Sequence, residues 1–202
     1  MVQSDGLLEH FRGYSLSIAT HPLEELSDFP DSRTFYTEIT EADRSRLPIG
    51  VRSALYMATG NRIEVYAEFV EGMSDESAAD ALRQVSPVFD ALLNKLPSVM
   101  QGPVMLEHLI AVASGLKSLA LGETQIAGQI KRDMAHAQSA GWISASMMTL
   151  LKKALETQKR IRSTTGISEN SYSLMTLVSD LIAKRELQEI HNGVILIGAS
   201  EM

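Results

Sequence analysis

The 202-residue chain has 45% hydrophobic residues, yet no apolar run reaches the ~18–20 residues that a membrane span needs, and the N-terminus lacks a secretory pattern, which favours a cytoplasmic location. The formal net charge of −7 argues against binding nucleic acid through bulk charge, so such a partner would have to meet a local basic patch. Cysteine is absent, which excludes disulfides and a thiolate nucleophile, and the five histidines lack the spacing of metal ligands, so no metal site is expected.

Three segments in the first half of the chain have the alternating or short apolar pattern of β-strands. They are 14–20, 53–59 and 63–70. Only Gly60, Asn61 and Arg62 separate the second segment from the third, so a hairpin is the expected connection. Gly60 and Asn61 suit such a turn because both tolerate positive φ.

Helical patterns occupy most of the remaining chain. They are 37–47, 74–96 with a break near Pro87, 106–113, 126–140, 146–163 and 171–185. Ser74 is the expected N-cap of the second helix, and Gly141 stands where the fourth should end.

The chain closes with GVILIG at 193–198, an apolar run typical of a buried parallel strand, followed by ASEM. A strand that leads into a glycine is how a nucleotide-binding βα unit begins, although this signal is weak alone. The expected fold is therefore α/β (α+β). It comprises a small sheet of about three strands with helices, a mainly helical second half, and the first strand of a Rossmann-type domain.

The segment SGLKSLALGETQIAGQIK at 114–131 is the densest candidate for a binding site. Glycines destabilise helices, so their density here indicates close backbone approach or turns around a ligand. Glu123, Gln125 and Gln129 could offer polar contacts to a substrate amine and hydroxyls. An amphipathic helix–turn–helix that packs without a ligand accounts for the same composition.

This segment resembles SGLDSMVLGEPQILGQVK of the glutamyl-tRNA reductases. Four further segments are similar to that family in the same order: MATGNRIEVYA at 57–67 (STCNRVEVYA), EHLIAVASGL at 107–116 (HLFRVASGL), KRIRSTTGIS at 159–168 (KRVRTET-IG) and VILIGASEM at 194–202 (VLVIGAGEM). The resemblance covers most of 53–202, whereas the first 50 residues match poorly.

The resemblance implies an NADPH-dependent oxidoreductase that reduces glutamyl-tRNA to glutamate-1-semialdehyde through a cysteine thioester, the first step of tetrapyrrole, and hence porphyrin and heme, biosynthesis. It also implies a homodimer and a partnership with glutamate-1-semialdehyde aminomutase. Residues 1–165 would form the catalytic, glutamyl-recognition domain. Residues 166–202 would form a linker helix and the first strand of the NADPH domain.

Catalytic residues carried over from the family are the nucleophile position, Gly60, and an activity-critical histidine, His108. Arg62 would hold the glutamate side-chain carboxylate, since a guanidinium binds a carboxylate through two hydrogen bonds. The full set of implied substrate-binding positions is Thr59, Asn61, Arg62, Ser118, Glu123, Thr124, Gln125 and Gln129. The implied cofactor-binding positions are Gly198, Ala199, Ser200, Glu201 and Met202.

Three departures from the family bear on activity. Gly60 has no side chain, so no thioester forms there. Lys117 replaces the family's Asp and Thr124 its Pro, which changes the rim of the pocket. The chain also lacks most of the NADPH domain and the dimerisation helices. We therefore expect a polypeptide that is inactive as it stands and does not hold NADPH stably.

Alternative interpretations remain. The chain could be a non-catalytic paralogue that binds glutamyl-tRNA or regulates the pathway, or a helical scaffold without a substrate. His108, without the resemblance, fits a core histidine. The basic residues Lys152, Lys153, Lys159, Arg160 and Arg162 could contact tRNA phosphates or form a solvated helix face.

Overall fold

The structure, a computed structural model, describes residues 8–38, 47–95, 99–119 and 121–168. Its strands are β1 (Phe11–Ser17), β2 (Val51–Thr59), β3 (Arg62–Phe69) and β4 (Met100–Gln101). Its helices are α1 (Leu23–Ser27), α2 (Ser32–Glu38), α3 (Asp75–Arg83), α4 (Pro87–Lys95), α5 (Gly102–Ala113), α6 (Gln125–Ser139) and α7 (Ala145–Thr164), with a 3₁₀ turn at Gly166–Ser168. The predicted small sheet with helices, mainly helical in its second half, is confirmed.

The four strands form one antiparallel sheet in the order β2-β3-β1-β4. The predicted hairpin is confirmed, with Thr59 opposite Arg62. β1 begins at Phe11 and ends at Ser17, so the prediction of 14–20 was displaced by three residues, because pairing with β3 sets its bounds. β4, which was not predicted, pairs with Arg12 and Gly13 and is too short to show a period.

Both faces of the sheet are buried, which is clearest along β3. Its residues alternate between an apolar face and a polar one, and all eight are buried. The polar face carries Arg62, Glu64, Tyr66 and Glu68. Helices α5 and α7 cover this face, since His108 of α5 contacts Glu64 and Ser146 of α7 donates to Glu68. Aromatic side chains cover the other face, where the ring centroids of Phe35 of α2 and Tyr56 lie 4.3 Å apart.

Local signals place the helix ends. Ser74 caps α3, because its hydroxyl accepts from the backbone N–H of Ser77 at 3.2 Å. The break near Pro87 is confirmed, since α3 ends at Arg83 and α4 begins at Pro87. Gly141, with φ +75°, follows α6 as expected for a helix stop.

The predicted start of one helix was wrong. α5 begins at Gly102 rather than near 106, because a helix accepts proline in its first turn. Helix α2 was not predicted; the preceding Asp31 accepts from the N–H of Thr34 at 2.9 Å. Most of the helix predicted at 37–47 falls outside the described residues.

The helix predicted at 171–185, the strand at 193–198 and the division into two domains fall outside the described residues. Among the described residues no helix is long and apolar enough to cross a membrane.

Candidate functional site

A buried carboxylate, Glu64, lies at the centre of the polar face of β3. It is fully buried and accepts hydrogen bonds from Ser15 Oγ at 2.9 Å, Arg62 Nη1 at 3.1 Å and the hydroxyl of Tyr66 at 3.2 Å. His108 Nε2 lies 3.1 and 3.3 Å from its two oxygens. Because a carboxylate only accepts, the Nε2 nitrogen of His108 carries a proton and donates it.

Arg62 joins this cluster to the connection between α5 and α6, residues 114–124. Its side chain is buried at 5% exposure, and its Nη2 donates to the backbone carbonyl of Lys117. Together with the bond to Glu64, this contact uses two of the five N–H donors of the guanidinium. Arg62 and His108, two residues singled out from the sequence, are therefore brought together through Glu64.

Gly60 occupies the tip of the β2–β3 hairpin, between Thr59 and Asn61. It is exposed, and its φ lies outside the positive range found at other glycines of the chain. Apart from Gly60 itself and its two chain neighbours, no heavy atom lies within 4 Å of the position that a Cβ would take. Gly60 tolerates a positive φ, as the sequence analysis noted, but it does not adopt one here, and a Cβ at this position meets open space.

The two ends of the connection 114–124 are hydrogen-bonded to each other. Gly122 donates its N–H to the carbonyl of Gly115 at 3.0 Å, and Arg162 of α7 donates to the carbonyls of Gly122 at 2.9 Å and Glu123 at 3.3 Å. Gly115 has φ +77°, and a Cβ there would lie 2.7 Å from the backbone nitrogen of Glu123. Gly122 has φ +80°, and a Cβ there would lie 2.4 Å from the carbonyl oxygen of Ile167. Close approach of backbone to backbone explains both glycines.

The polar residues predicted to meet a substrate lie along this connection and the start of α6. Ser118, Glu123 and Gln129 are half-buried, while Thr124 and Gln125 are exposed. Gln129 Oε1 is buried and accepts no hydrogen bond from the described residues, so a ligand donor would satisfy it. The structure links the connection to Arg62 at Lys117, and no described hydrogen bond links Gln125 or Gln129 to the Glu64 cluster.

Comparison with known proteins identifies the family of this chain. Residues 15–165 match the family described as the N-terminal domain of glutamyl-tRNA(Glu) reductase. The chain belongs to the glutamyl-tRNA reductase family. Glutamyl-tRNA reductases of Syntrophus aciditrophicus and Paenarthrobacter aurescens are 34% and 30% identical to it over 164 and 168 residues.

The match covers only part of each relative. The two alignments take in 79% and 81% of this chain and 38% of each relative. The solved structure of glutamyl-tRNA reductase from Methanopyrus kandleri aligns with a TM-score of 0.64 at 25% identity, covering 87% of this chain and 40% of that chain. The chain thus spans about two-fifths of the length of these glutamyl-tRNA reductases.

The structure shows where two of the departures from the family pattern, Lys117 and Thr124, lie. Lys117 points its side chain to solvent, and its backbone carbonyl makes the contact with Arg62, so replacing the family's Asp leaves that contact available. Thr124 is an exposed residue that precedes α6 and makes no side-chain cap.

Sequence reasoning missed one residue of the site and did not predict the contact of another. Glu64 had a signal, because it follows Arg62 by two positions within an apolar strand and so shares its face. Arg162 was named only as part of a basic helix face, and its contact with the connection 114–124 had no signal, because only the packing of α7 brings it there. The predicted cofactor positions 198–202 lie outside the described residues. Within the described ranges no cluster of His, Asp and Glu is arranged to hold a metal ion.

Proposed function

We propose that this chain is the glutamyl-recognition domain of a glutamyl-tRNA reductase whose nucleophile position holds glycine. In the family, a cysteine thiolate attacks the ester carbonyl of glutamyl-tRNA, a C–S bond forms, and the ester C–O bond breaks to release tRNA. Dividing a difficult step in two is the value of covalent catalysis. One observation carries the proposal: Gly60 lies at the end of the strand pair that bears Arg62, in ordinary backbone with open space for a side chain.

Each residue of the cluster has a role in this proposal. Arg62 binds the side-chain carboxylate of the glutamyl group with the N–H donors that Glu64 and Lys117 leave open. Glu64 holds the guanidinium and the imidazole of His108 in place. Thr59, Asn61, Ser118, Glu123, Thr124, Gln125 and Gln129 form the remaining substrate contacts carried over from the family.

The reduction itself depends on groups beyond the described residues. NADPH supplies the hydride in the family, and positions 198–202 would begin its binding site. Homodimerisation, contact with glutamate-1-semialdehyde aminomutase and a cytoplasmic location belong to the same proposal. The chain as written binds the glutamyl group without forming a thioester, because Gly60 offers no nucleophile.

The decisive experiment is transfer of labelled glutamate from glutamyl-tRNA to the Gly60→Cys variant. Gly60→Ser is the matched control, since serine has nearly the same size without a thiol, and both side chains meet open space. We expect a hydroxylamine-labile label on the cysteine variant alone. Absence of label from a folded Gly60→Cys protein that still binds glutamyl-tRNA would contradict the proposal.

A second candidate is a non-catalytic member of the family that binds glutamyl-tRNA or regulates the pathway. It is favoured by Gly60 itself, because the local structure does not require glycine there. Both candidates need Arg62 to recognise the glutamyl group. Arg62→Ala should abolish any preference for glutamyl-tRNA over uncharged tRNA, and an unchanged preference would rule out this role for Arg62.

A further inference from the structure

Positive charge is concentrated on α6 and α7. Residues 131–162 hold seven of the 18 Lys and Arg residues of the chain and only two acidic residues, whereas the whole chain has a net charge of −7. One of the two acidic residues, Asp133, is buried. The other, Glu156, is paired with Lys153 at 2.8 Å. The helix pair therefore presents a basic surface on an acidic protein.

Part of this surface is a groove of about 440 Å³ between the two helices. Its lining residues are Lys131 of α6 and Lys152, Leu155, Glu156, Gln158 and Lys159 of α7. The three lysines are exposed and form no ion pair with a described residue. Lys152 and Lys159 are seven residues apart, which places them on the same side of α7, two turns apart.

The groove shares α7 with Arg162, which contacts the connection 114–124. Arg162, three residues after Lys159, donates to the backbone of the connection 114–124, whose Lys117 carbonyl binds Arg62. Along a helix that rises ~1.5 Å per residue, Lys152 lies about 15 Å from Arg162. The lysines thus form a track that leads away from the site along α7.

We propose that this groove, lined by Lys131, Lys152 and Lys159, binds the phosphate backbone of the RNA that carries the glutamyl ester. The inference rests on the proposed function, which places the ester at Gly60. An RNA whose 3′ end enters the site must pass over the surrounding protein, and the net negative charge of the chain repels its phosphates elsewhere. Lysine ammonium groups on flexible stems bind phosphates as point charges without reading sequence.

The test compares two double variants that remove the same charge from exposed positions. Lys152→Gln/Lys159→Gln changes the groove, and Arg33→Gln/Arg52→Gln changes exposed arginines on α2 and β2. The dissociation constants of glutamyl-tRNA and of the same tRNA uncharged are measured for the full chain over a range of salt concentrations.

We expect the groove variant to bind both tRNAs on the order of 10-fold more weakly at low salt, and the slope of log K against log salt concentration to fall in magnitude by about 2. The control variant should bind within about twofold of the parent. Equal losses in both variants would show that bulk charge alone is at work and would overturn the proposal. Unchanged binding by the groove variant would overturn it as well.

The variant Arg62→Ala separates this inference from the proposed function. Because this change also leaves the buried Glu64 without its cationic partner, folding of the variant is checked by circular dichroism, and in the folded variant the ratio of the two dissociation constants should approach one. If that preference does not depend on Arg62 but the groove variant still binds tRNA more weakly, the RNA-binding role of the groove is supported and the reductase role is contradicted. If Arg62 governs the preference and the groove variant binds tRNA like the parent, the reductase role is supported and the RNA-binding role of the groove is contradicted.

Discussion

Glu64 is a charged residue in a fully buried position, and its environment explains why it is tolerated. A buried carboxylate is costly unless its oxygens receive hydrogen bonds. Here Ser15, Arg62, Tyr66 and His108 all reach it within 3.3 Å. The cluster therefore holds Arg62 and His108 in one arrangement before any substrate arrives.

Removing this carboxylate should strongly destabilise the protein. We expect Glu64→Ala to lower the free energy of unfolding by about 3–5 kcal/mol, because it leaves the buried guanidinium of Arg62 without its negative partner. Urea denaturation followed by circular dichroism measures the change. Glu156→Ala, which breaks an exposed pair with Lys153, is the control and should have little effect. Similar losses in the two variants would contradict the buried ion pair.

At the scale of elements, the C-terminal end of α7 fixes the position of the connection 114–124. Arg162 donates to three of its carbonyls, those of Ser114, Gly122 and Glu123, and the backbone of Gly122 packs against that of Ile167 in the turn that follows α7. The shape of this connection, and so the position of the Lys117 carbonyl beside Arg62, depends on glycine at 122.

Gly122→Ala tests this dependence, with Gly72→Ala as a matched control. Both glycines have positive φ, of +80° and +76°, but a Cβ at Gly122 would lie 2.4 Å from a carbonyl oxygen, whereas a Cβ at Gly72 meets nothing within 4 Å. Gly72→Ala should cost about 1–2 kcal/mol through backbone strain alone. Gly122→Ala should cost clearly more in urea denaturation. Equal costs would mean that the contact with Ile167 does not constrain the loop.

At the scale of the whole molecule, one buried carboxyl couples stability to pH. Asp133 of α6 is 5% exposed, and its Oδ2 has no hydrogen-bond partner among the described residues. Burial raises its pKa from 3.8 to about 7, against the lowering effects of a hydrogen bond with Ser32 and the charge of Arg132. Ser32 also accepts from the N–H of Ala58 at 2.7 Å, so the group lies where α6, α2 and β2 meet.

The direction of the pH effect follows from this raised pKa. Between about pH 4 and 7 the folded protein keeps a proton that the unfolded chain has lost, so this group reduces stability as pH rises, by up to about 1.4 kcal/mol per pH unit. Asp133→Asn removes the effect. We expect the variant to gain stability relative to the parent from pH 4 to pH 8, measured by urea denaturation at each pH.

Asp80→Asn, which removes an exposed negative charge, is the control for the change in net charge. If the stability difference between Asp133→Asn and the parent did not vary with pH, the raised pKa of Asp133 would be refuted.

The sequence by itself determined the elements whose signals are local. The β2–β3 hairpin, the cap at Ser74 and the stop at Gly141 were predictable because side-chain alternation, capping and helix termination involve residues only a few positions apart. Arg62 and His108 were found as members of the site through the segments that resemble a family.

Only the tertiary structure decided how these parts meet. His108 and Glu64 are 44 residues apart, Arg62 and Lys117 are 55 apart, and Arg162 and Gly122 are 40 apart. No local pattern encodes such pairs, because they form when helices pack over the sheet and bury polar groups that must then find partners. The same packing decides that Gly115 and Gly122 are required for backbone contact and that Gly60, despite its place in a hairpin, is not.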